Sequence, residues 1–394
     1  MATKKIYFKG LSALRFFAAT AVIFHHIEQY KYWLGYDSLW GYDGVIGIFI
    51  DSIGHKAVSF FFALSGFLIT YLLLAELKKS GTVAVKKFYF RRLLRIWPLY
   101  YLVAGIALFV IPIVTNFTAT GSTEFFNFDG EMSQPAWFIL LLYFIILPNF
   151  TRITSVQVVG ANQAWSVGVE EQFYLIWPLL VRWFHKRMLL FLVVFVILKM
   201  SLQGGLIFIG DIIDGSLGLK LEQLGTLLSH MQIEQMAIGG IGAHWLFNQK
   251  EKIIKFIYHP ITHTLAWVFF TSFYFIDYHF FGASLFEGFI FMLIIINVST
   301  NPNFKLNLEK PLLNKLGDVS YGIYMLHTIV ISLLITFLHS LEVNNTVLNI
   351  CLYIGAPLGT IGLSLLSYEY FEKYFLKFKN KYTVIKSGSS AKAD

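Results

Sequence analysis

The stretch "MLLFLVVFVILKMSLQGGLIFI" at 188–209 decides what kind of protein this is. It carries a single charge, Lys199, in a run long enough to cross a bilayer core, which takes roughly 20 apolar residues. A second run, "GASLFEGFIFMLIIINVST" at 282–300, repeats the pattern. The composition agrees. The 394 residues are 56% hydrophobic and 14% charged, whereas a soluble domain carries about 25% charged residues. The reading is an all-α, polytopic membrane protein. In such a chain the net charge of +8 reads first as a bias of basic residues toward the cytoplasmic loops, so no nucleic-acid partner is expected. The lone Cys351 excludes an intrachain disulfide. The basic start "MATKKIYFKG" precedes an apolar run with no small-residue cleavage site, so a retained first span is expected rather than a signal peptide.

Working outward, hydropathy gives about ten candidate transmembrane helices: 11–30, 55–77, 96–114, 165–181, 188–209, 231–247, 261–279, 282–299, 319–339 and 347–368. With both termini cytoplasmic, 26 of the 31 lysines and arginines fall on the inner side. Lys31, Lys56, Arg152 and Lys220 fall outside and Lys199 lies within a span. The apolar segment "QPAWFILLLYFIILPNF" at 134–150 would break this pattern as a full span. It is expected to be a re-entrant segment on the outer side, where it lines protein rather than lipid. Residues 1–380 then form one integral-membrane domain and 381–394 a disordered cytoplasmic tail. The cell's inner (cytoplasmic) membrane is the expected location.

The chemistry sits inside the spans. In "LSALRFFAATAVIFHHIEQY" at 11–30, Arg15 and His26 are eleven residues apart. On a helix that is about three turns, so they share a face and stand about 16–17 Å apart along the axis, while His25 points elsewhere. Arg15 snorkelling to headgroups and His26 as a hydrogen-bonded core residue is the plainer reading. The aligned pair favours function, because intramembrane ionisable groups are costly. "KKFYFRRLLRIWPLYYL" at 86–102 brings Arg91, Arg92 and Arg95 to the membrane boundary, with Arg92 and Arg95 one turn apart. Guanidinium forks suit phosphate, so these arginines and Arg15 could hold a nucleotide-bearing cofactor or an anionic lipid headgroup.

Ser65-Gly66 in "FFALSGFLIT" at 61–70 reads more readily as close helix packing than as a nucleophile. Glu170 and Glu171 in "AWSVGVEEQFYLIWPLL" at 164–180 point about 100° apart, so they cannot both face one site. "LGDVSYGIYMLHTIV" at 316–330 puts Ser320, Tyr324 and His327 on one face, with Tyr321 beside them, as a buried polar seam or as part of a site.

These segments, in this order, resemble the integral-membrane acyltransferase-3 family, the stand-alone bacterial glycan O-acyltransferases. The resemblance runs from "LSALRFFAATAVIFHH" to "YEYFEKYFLK" at 368–377. It rests most on Arg15 with His26, "FFALSGFLIT", Arg92 with Arg95, "WSVGVEEQFYLIWP", in which Gly168 replaces a common serine, and "LGDVSYGIYMLH". The resemblance implies transfer of a short acyl group, acetyl in the simplest case, from cytoplasmic acyl-coenzyme A. The implied acceptor is a hydroxyl of a glycan or a glycosylated small molecule at the outer side. It implies His26 as the essential histidine and Arg92 and Arg95 at the phosphate end of the donor. The expected catalytic residues are therefore His26, Glu170 and Glu171, and the expected donor-binding residues Arg15, Arg92, Arg95 and Ser65. No cluster with metal-ligand spacing is apparent, so no metal is expected. The competing class is a transporter or flippase with buried Arg, His and Glu as an ion path, against which stands the absence of an internal repeat.

Overall fold

The computed structural model describes residues 5–115, 136–154, 158–276, 282–385 and 388. Every regular element among them is helical. In chain order these are α1 (Leu11–Trp33), α2 (Val45–Ser80), α3 (Val85–Gly105), α4 (Ile111–Thr115), α5 (Ala136–Phe144) and α6 (Ala164–Phe184). There follow α7 (Met188–Ile212), α8 (Ser216–Met231), α9 (Ile233–Phe247), α10 (Glu251–Tyr258), α11 (Pro260–Ser272) and α12 (Ala283–Thr300). The chain ends with α13 (Pro311–Asp318), α14 (Ser320–Ser340), α15 (Asn345–Ile350), α16 (Ala356–Ser367) and α17 (Lys373–Lys379).

Six continuous helical stretches among the described residues are long and apolar enough to cross a membrane: Val45–Ser80, Val85–Thr115, Ala164–Ile212, Ala283–Thr300, Ser320–Ser340 and Asn345–Tyr382. The chain is a multi-pass membrane protein. The stretch Ala164–Ile212 contains two of the expected spans, 165–181 and 188–209. The expected spans at 11–30, 231–247 and 261–279 fall outside these six: 11–30 is helical throughout, 231–247 is interrupted at Gln232, and α11 ends at Ser272, with 277–279 outside the described residues. The first is diluted by Arg15, His25, His26, Glu28 and Lys31, and the other two are the short α9 and α11. Three π-helical turns, Ile106–Val110, Cys351–Gly355 and Tyr368–Glu372, sit inside the longer stretches.

The segment expected to be re-entrant holds α5, nine residues long, and then a 3-10 turn at Pro148–Thr154. Nine helical residues span only about 13–14 Å, less than half of a bilayer core of about 30 Å. Ile146, with φ 58°, breaks the chain direction between them. Of the expected tail 381–394, residues 386, 387 and 389–394 lie outside the described ones.

α1 is the axis of the molecule, packed against α2, α13 and α14. α2 in turn lies along α9, and α9 along α12. The α2–α9 seam is made by missing side chains. A Cβ on Gly66 would lie 1.9 Å from the Met236 carbonyl oxygen, and one on Gly239 2.0 Å from that of Ala63. Close backbone approach of this kind is how helices associate where lipid offers no hydrophobic driving force. Two lysines inside the bundle are paired. Lys199 Nζ lies 2.6 Å from Glu234 Oε2 and donates to Gln203, and Lys31 Nζ donates to Glu28 and Asn349 at 2.6 Å each.

Candidate active site

Two polar centres lie at opposite ends of α1. Toward its start, Arg15 sits in the fields of Arg95, Arg92 and Asp318. The arginines of α3 are not equivalent. Arg91 pairs with Glu76 at 3.3 Å and donates to the Tyr382 carbonyl at 2.8 Å, so it ties α3 to α2 and to the C-terminal helix. Arg92 instead lies over the rings of Phe88 and Tyr174, at 5.4 and 5.2 Å, and its Nε is buried without a hydrogen-bond partner. Among the described residues none of Arg15, Arg92 and Arg95 has a carboxylate within ion-pair distance, whereas Arg91 has one.

The two neighbouring carboxylates of α6 diverge, as adjacent helix positions require. Glu170 accepts from Ser65 Oγ at 3.0 Å and from Tyr174 at 2.7 Å, which places it beside the arginine cluster through the Tyr174 ring. Glu171 accepts from Trp97 Nε1 at 2.9 Å, and its other oxygen is buried without a partner. Ser65 thus has a polar role in addition to the close packing of Gly66. Gly168, one turn earlier, is where a Cβ would lie 2.8 Å from Asn149 Oδ1 and 2.9 Å from Pro148. The missing side chain lets the 3-10 turn after α5 close onto α6.

Toward the end of α1, His26 is buried and its Nδ1 lies 2.9 Å from the Val22 carbonyl oxygen. A carbonyl only accepts, so Nδ1 carries the proton and Nε2 keeps its lone pair in the neutral ring. The Nε2 of His327, from α14, lies 3.2 Å from the same Nδ1, and the two rings meet edge to face at 4.8 Å. His26 faces a cavity of about 50 Å³ that it shares with Gln29, Asn162, Trp165, Tyr324 and residues of α2. A water needs on the order of 10–15 Å³ by this measure, so the cavity admits a few waters or one substituent, not a sugar ring.

The walls are fixed by hydrogen bonds among α1, α6 and α14. Ser166 and Tyr324 hydroxyls lie 2.6 Å apart, and Gln163 donates to the Met325 carbonyl at 2.6 Å while accepting from Thr328 at 2.8 Å. Tyr30 donates to Asn162 and accepts from the Gly160 amide.

Of the residues expected from sequence, the structure brings Arg15, Arg92, Arg95, Ser65 and Glu170 toward one centre, with Glu171 on the neighbouring face of α6. His26 stands at the other centre. Its partner is His327, which in the sequence reads equally as part of a polar seam or as part of a site. Asn162, Trp165 and Gln29 were not singled out. The Arg15–His26 face alignment was readable because both lie on one helix. The His26–His327 pairing joins residues 301 apart, and no periodicity predicts it.

A bundle of membrane-spanning helices with a buried imidazole pair toward one end of its axial helix and a cluster of guanidiniums toward the other defines a multi-pass membrane protein with a two-ended polar site. Comparison supplies the family. Residues 8–369 match the acyltransferase domain model Acyl_transf_3, and the chain belongs to that family of acyltransferases. Among curated proteins it is similar to "O-acetyltransferase OatA" of Staphylococcus aureus (strain NCTC 8325 / PS 47), 29% identical over 181 residues, covering 46% of this chain and 26% of that protein. It is also similar to "Putative O-acetyltransferase SACOL0978" of Staphylococcus aureus (strain COL), 25% identical over 393 residues, covering 95% of this chain and 58% of the relative. The chain therefore spans only about a quarter to somewhat over half of these relatives. No solved structure matches.

Proposed function

We propose that the protein is an O-acyltransferase that passes a short acyl group, acetyl in the simplest case, from acyl-coenzyme A to a hydroxyl of a glycan or glycosylated small molecule. The observation that carries this reading is His26: buried, lining a cavity, with its Nδ1 proton directed at the Val22 carbonyl, so that Nε2 is the basic nitrogen of the neutral ring. The names of the relatives support acetyl transfer to oxygen. The donor fits the arginine end. Three guanidiniums with no carboxylate at ion-pair distance among the described residues, one with an orphaned buried N–H, are suited to the phosphates of a coenzyme head. The rise of α1 puts about 16–17 Å between Arg15 and His26, a distance of the same order as a pantetheine arm.

In this mechanism the thioester arrives at the cavity with the coenzyme head held at Arg15, Arg92 and Arg95. His26 Nε2 takes the acceptor hydroxyl proton as the oxygen attacks the thioester carbon. The carbon–sulfur bond breaks, and the thiolate leaving group receives that proton. His327 and the Val22 carbonyl hold the ring and share its positive charge while it is protonated. Glu170 organises Ser65 and Tyr174 beneath Arg92, and the open oxygen of Glu171 is available to a substrate donor group. Residues 1–380 act as one unit in the inner (cytoplasmic) membrane, in about ten passes with cytoplasmic termini and 134–150 re-entrant on the outer side. The arginine end then faces the cytoplasm and the histidine end the outer side. The small cavity leaves the body of the acceptor outside.

The test is acyl-coenzyme A turnover by purified protein with a panel of glycan acceptors, alongside substrate flux in proteoliposomes. Loss of a general base is expected to lower turnover by about 10²–10⁴-fold in His26→Gln. Full transfer by a correctly inserted His26→Gln, or flux without thioester cleavage in the wild type, would sink the reading.

A further inference from the structure

His25, next to His26, meets the His26 ring edge to face at 5.0 Å and packs onto α2. Its Nδ1 lies 3.4 Å from Asp51 Oδ1, and His55 Nε2 lies 4.0 Å from the same oxygen. One donor atom from each of the three residues falls within 4.8 Å of the others. Asp51 and His55 are four apart on α2 and so share a face, and the rings of His25 and His55 meet at 4.8 Å. Gly54 makes the approach possible. A Cβ there would lie 2.3 Å from both Cβ and Cγ of His25.

We propose that His25, Asp51 and His55 form a binding site for a late first-row divalent cation, with Zn²⁺ as the best fit. Two imidazoles and one carboxylate are the donor set such cations take, whereas calcium and magnesium call for oxygen alone. Tetrahedral bonds of about 2.0–2.1 Å put neighbouring donors about 3.3–3.4 Å apart. The His25–Asp51 pair already has that separation, and the other edges need only small rotations. The side chains that must rotate can do so, because Asp51 is 71% exposed and His55 55%, while His25, at 6%, is the fixed anchor.

Three protein ligands leave a fourth position, the pattern of an open rather than a closed site. That position lies at the mouth of the His26 cavity, which both His25 and His55 line, and takes a water or hydroxyl oxygen. The simpler alternative, an imidazolium–carboxylate pair at the protein surface, predicts no cation affinity. The inference stands on this geometry and does not depend on the acyl-transfer reading.

The experiment uses the full chain in detergent, with affinity tag removed and metal stripped, titrated with Zn²⁺ alone by calorimetry. Co²⁺ serves as a second probe through its ligand-field bands, and neither donor nor acceptor is present. One equivalent of saturable binding is expected, with tetrahedral-type cobalt bands. Asp51→Asn and His55→Ala should each weaken it about tenfold or more, since losing even an outer partner of a ligand costs 10–100-fold. Both positions are exposed, so size-exclusion and thermal-melt profiles should match the wild type. Absence of saturable binding overturns the proposal, and so does one-equivalent binding that survives in the Asp51→Asn/His55→Ala double variant.

Discussion

His26 and His327 divide one task unequally. His26 lines the cavity, whereas His327 meets His26 at its Nδ1, so His327 is a positioning residue. Its replacement by Ala is expected to lower kcat by about 10–100-fold with little change in KM for either substrate, the scale seen when the partner of a functional imidazole is lost. His327→Asn, which keeps a polar side chain at that point, should recover part of the loss, and the kcat-against-KM split distinguishes positioning from substrate binding. The arginines should behave in the opposite way. Arg92→Ala and Arg95→Ala should each raise KM for acyl-coenzyme A by roughly 10–150-fold, at about 1.5–3 kcal/mol per charge-assisted hydrogen bond, and the effect should shrink as salt rises. Arg91→Ala should instead destabilise the protein, because Arg91 is committed to Glu76 and Tyr382. Sequence grouped Arg91, Arg92 and Arg95 as one cluster. The resemblance takes Arg92 and Arg95 for the donor, and the fold adds what Arg91 does instead, because its partners Glu76 and Tyr382 lie on other elements.

Helix packing explains which features of the elements were legible. Hydropathy located the long apolar stretches because lipid demands them, and it gave a second span beginning at 55. α2 in fact begins at Val45, and its 36 residues run about 54 Å, well beyond a core of about 30 Å. The ten residues left out of the expected span carry Asp51, which is why the cluster with His25 and His55 could not be read from an apolar window. Likewise, Gly66 suggested close packing, but its partner α9 emerged only in three dimensions. The α2–α9 seam gives a direct prediction. Gly239→Val should push α9 away from the Ala63 carbonyl and lower stability by about 1–3 kcal/mol or more, read as a lower melting temperature in detergent and reduced folded yield. A Gly205→Ala control, where nothing lies within 4 Å, should be close to neutral.

Across the whole molecule, buried charge is distributed in two distinct ways. Lys199 was visible in sequence as a charge inside a span, and the fold answers it with Glu234. Glu234→Leu should cost about 3–5 kcal/mol by stranding Lys199, while Lys199→Met/Glu234→Leu should recover most of it, as measured by thermal unfolding of the purified variants. Arg15, Arg92 and Arg95 are the contrasting case, positive groups gathered together with no carboxylate at ion-pair distance among the described residues, Asp318 and Glu170 acting on them only from further off. A fold that concentrates like charge in a poorly solvated place is frustrated until something neutralises it. A polyanion that binds there is expected to lift the melting temperature by simple mass action. Inorganic tripolyphosphate or coenzyme A should therefore raise the transition of the wild type in low-salt detergent and leave that of Arg92→Ala/Arg95→Ala nearly unmoved. Thermal stability becomes a readout of occupancy that requires no knowledge of the acceptor.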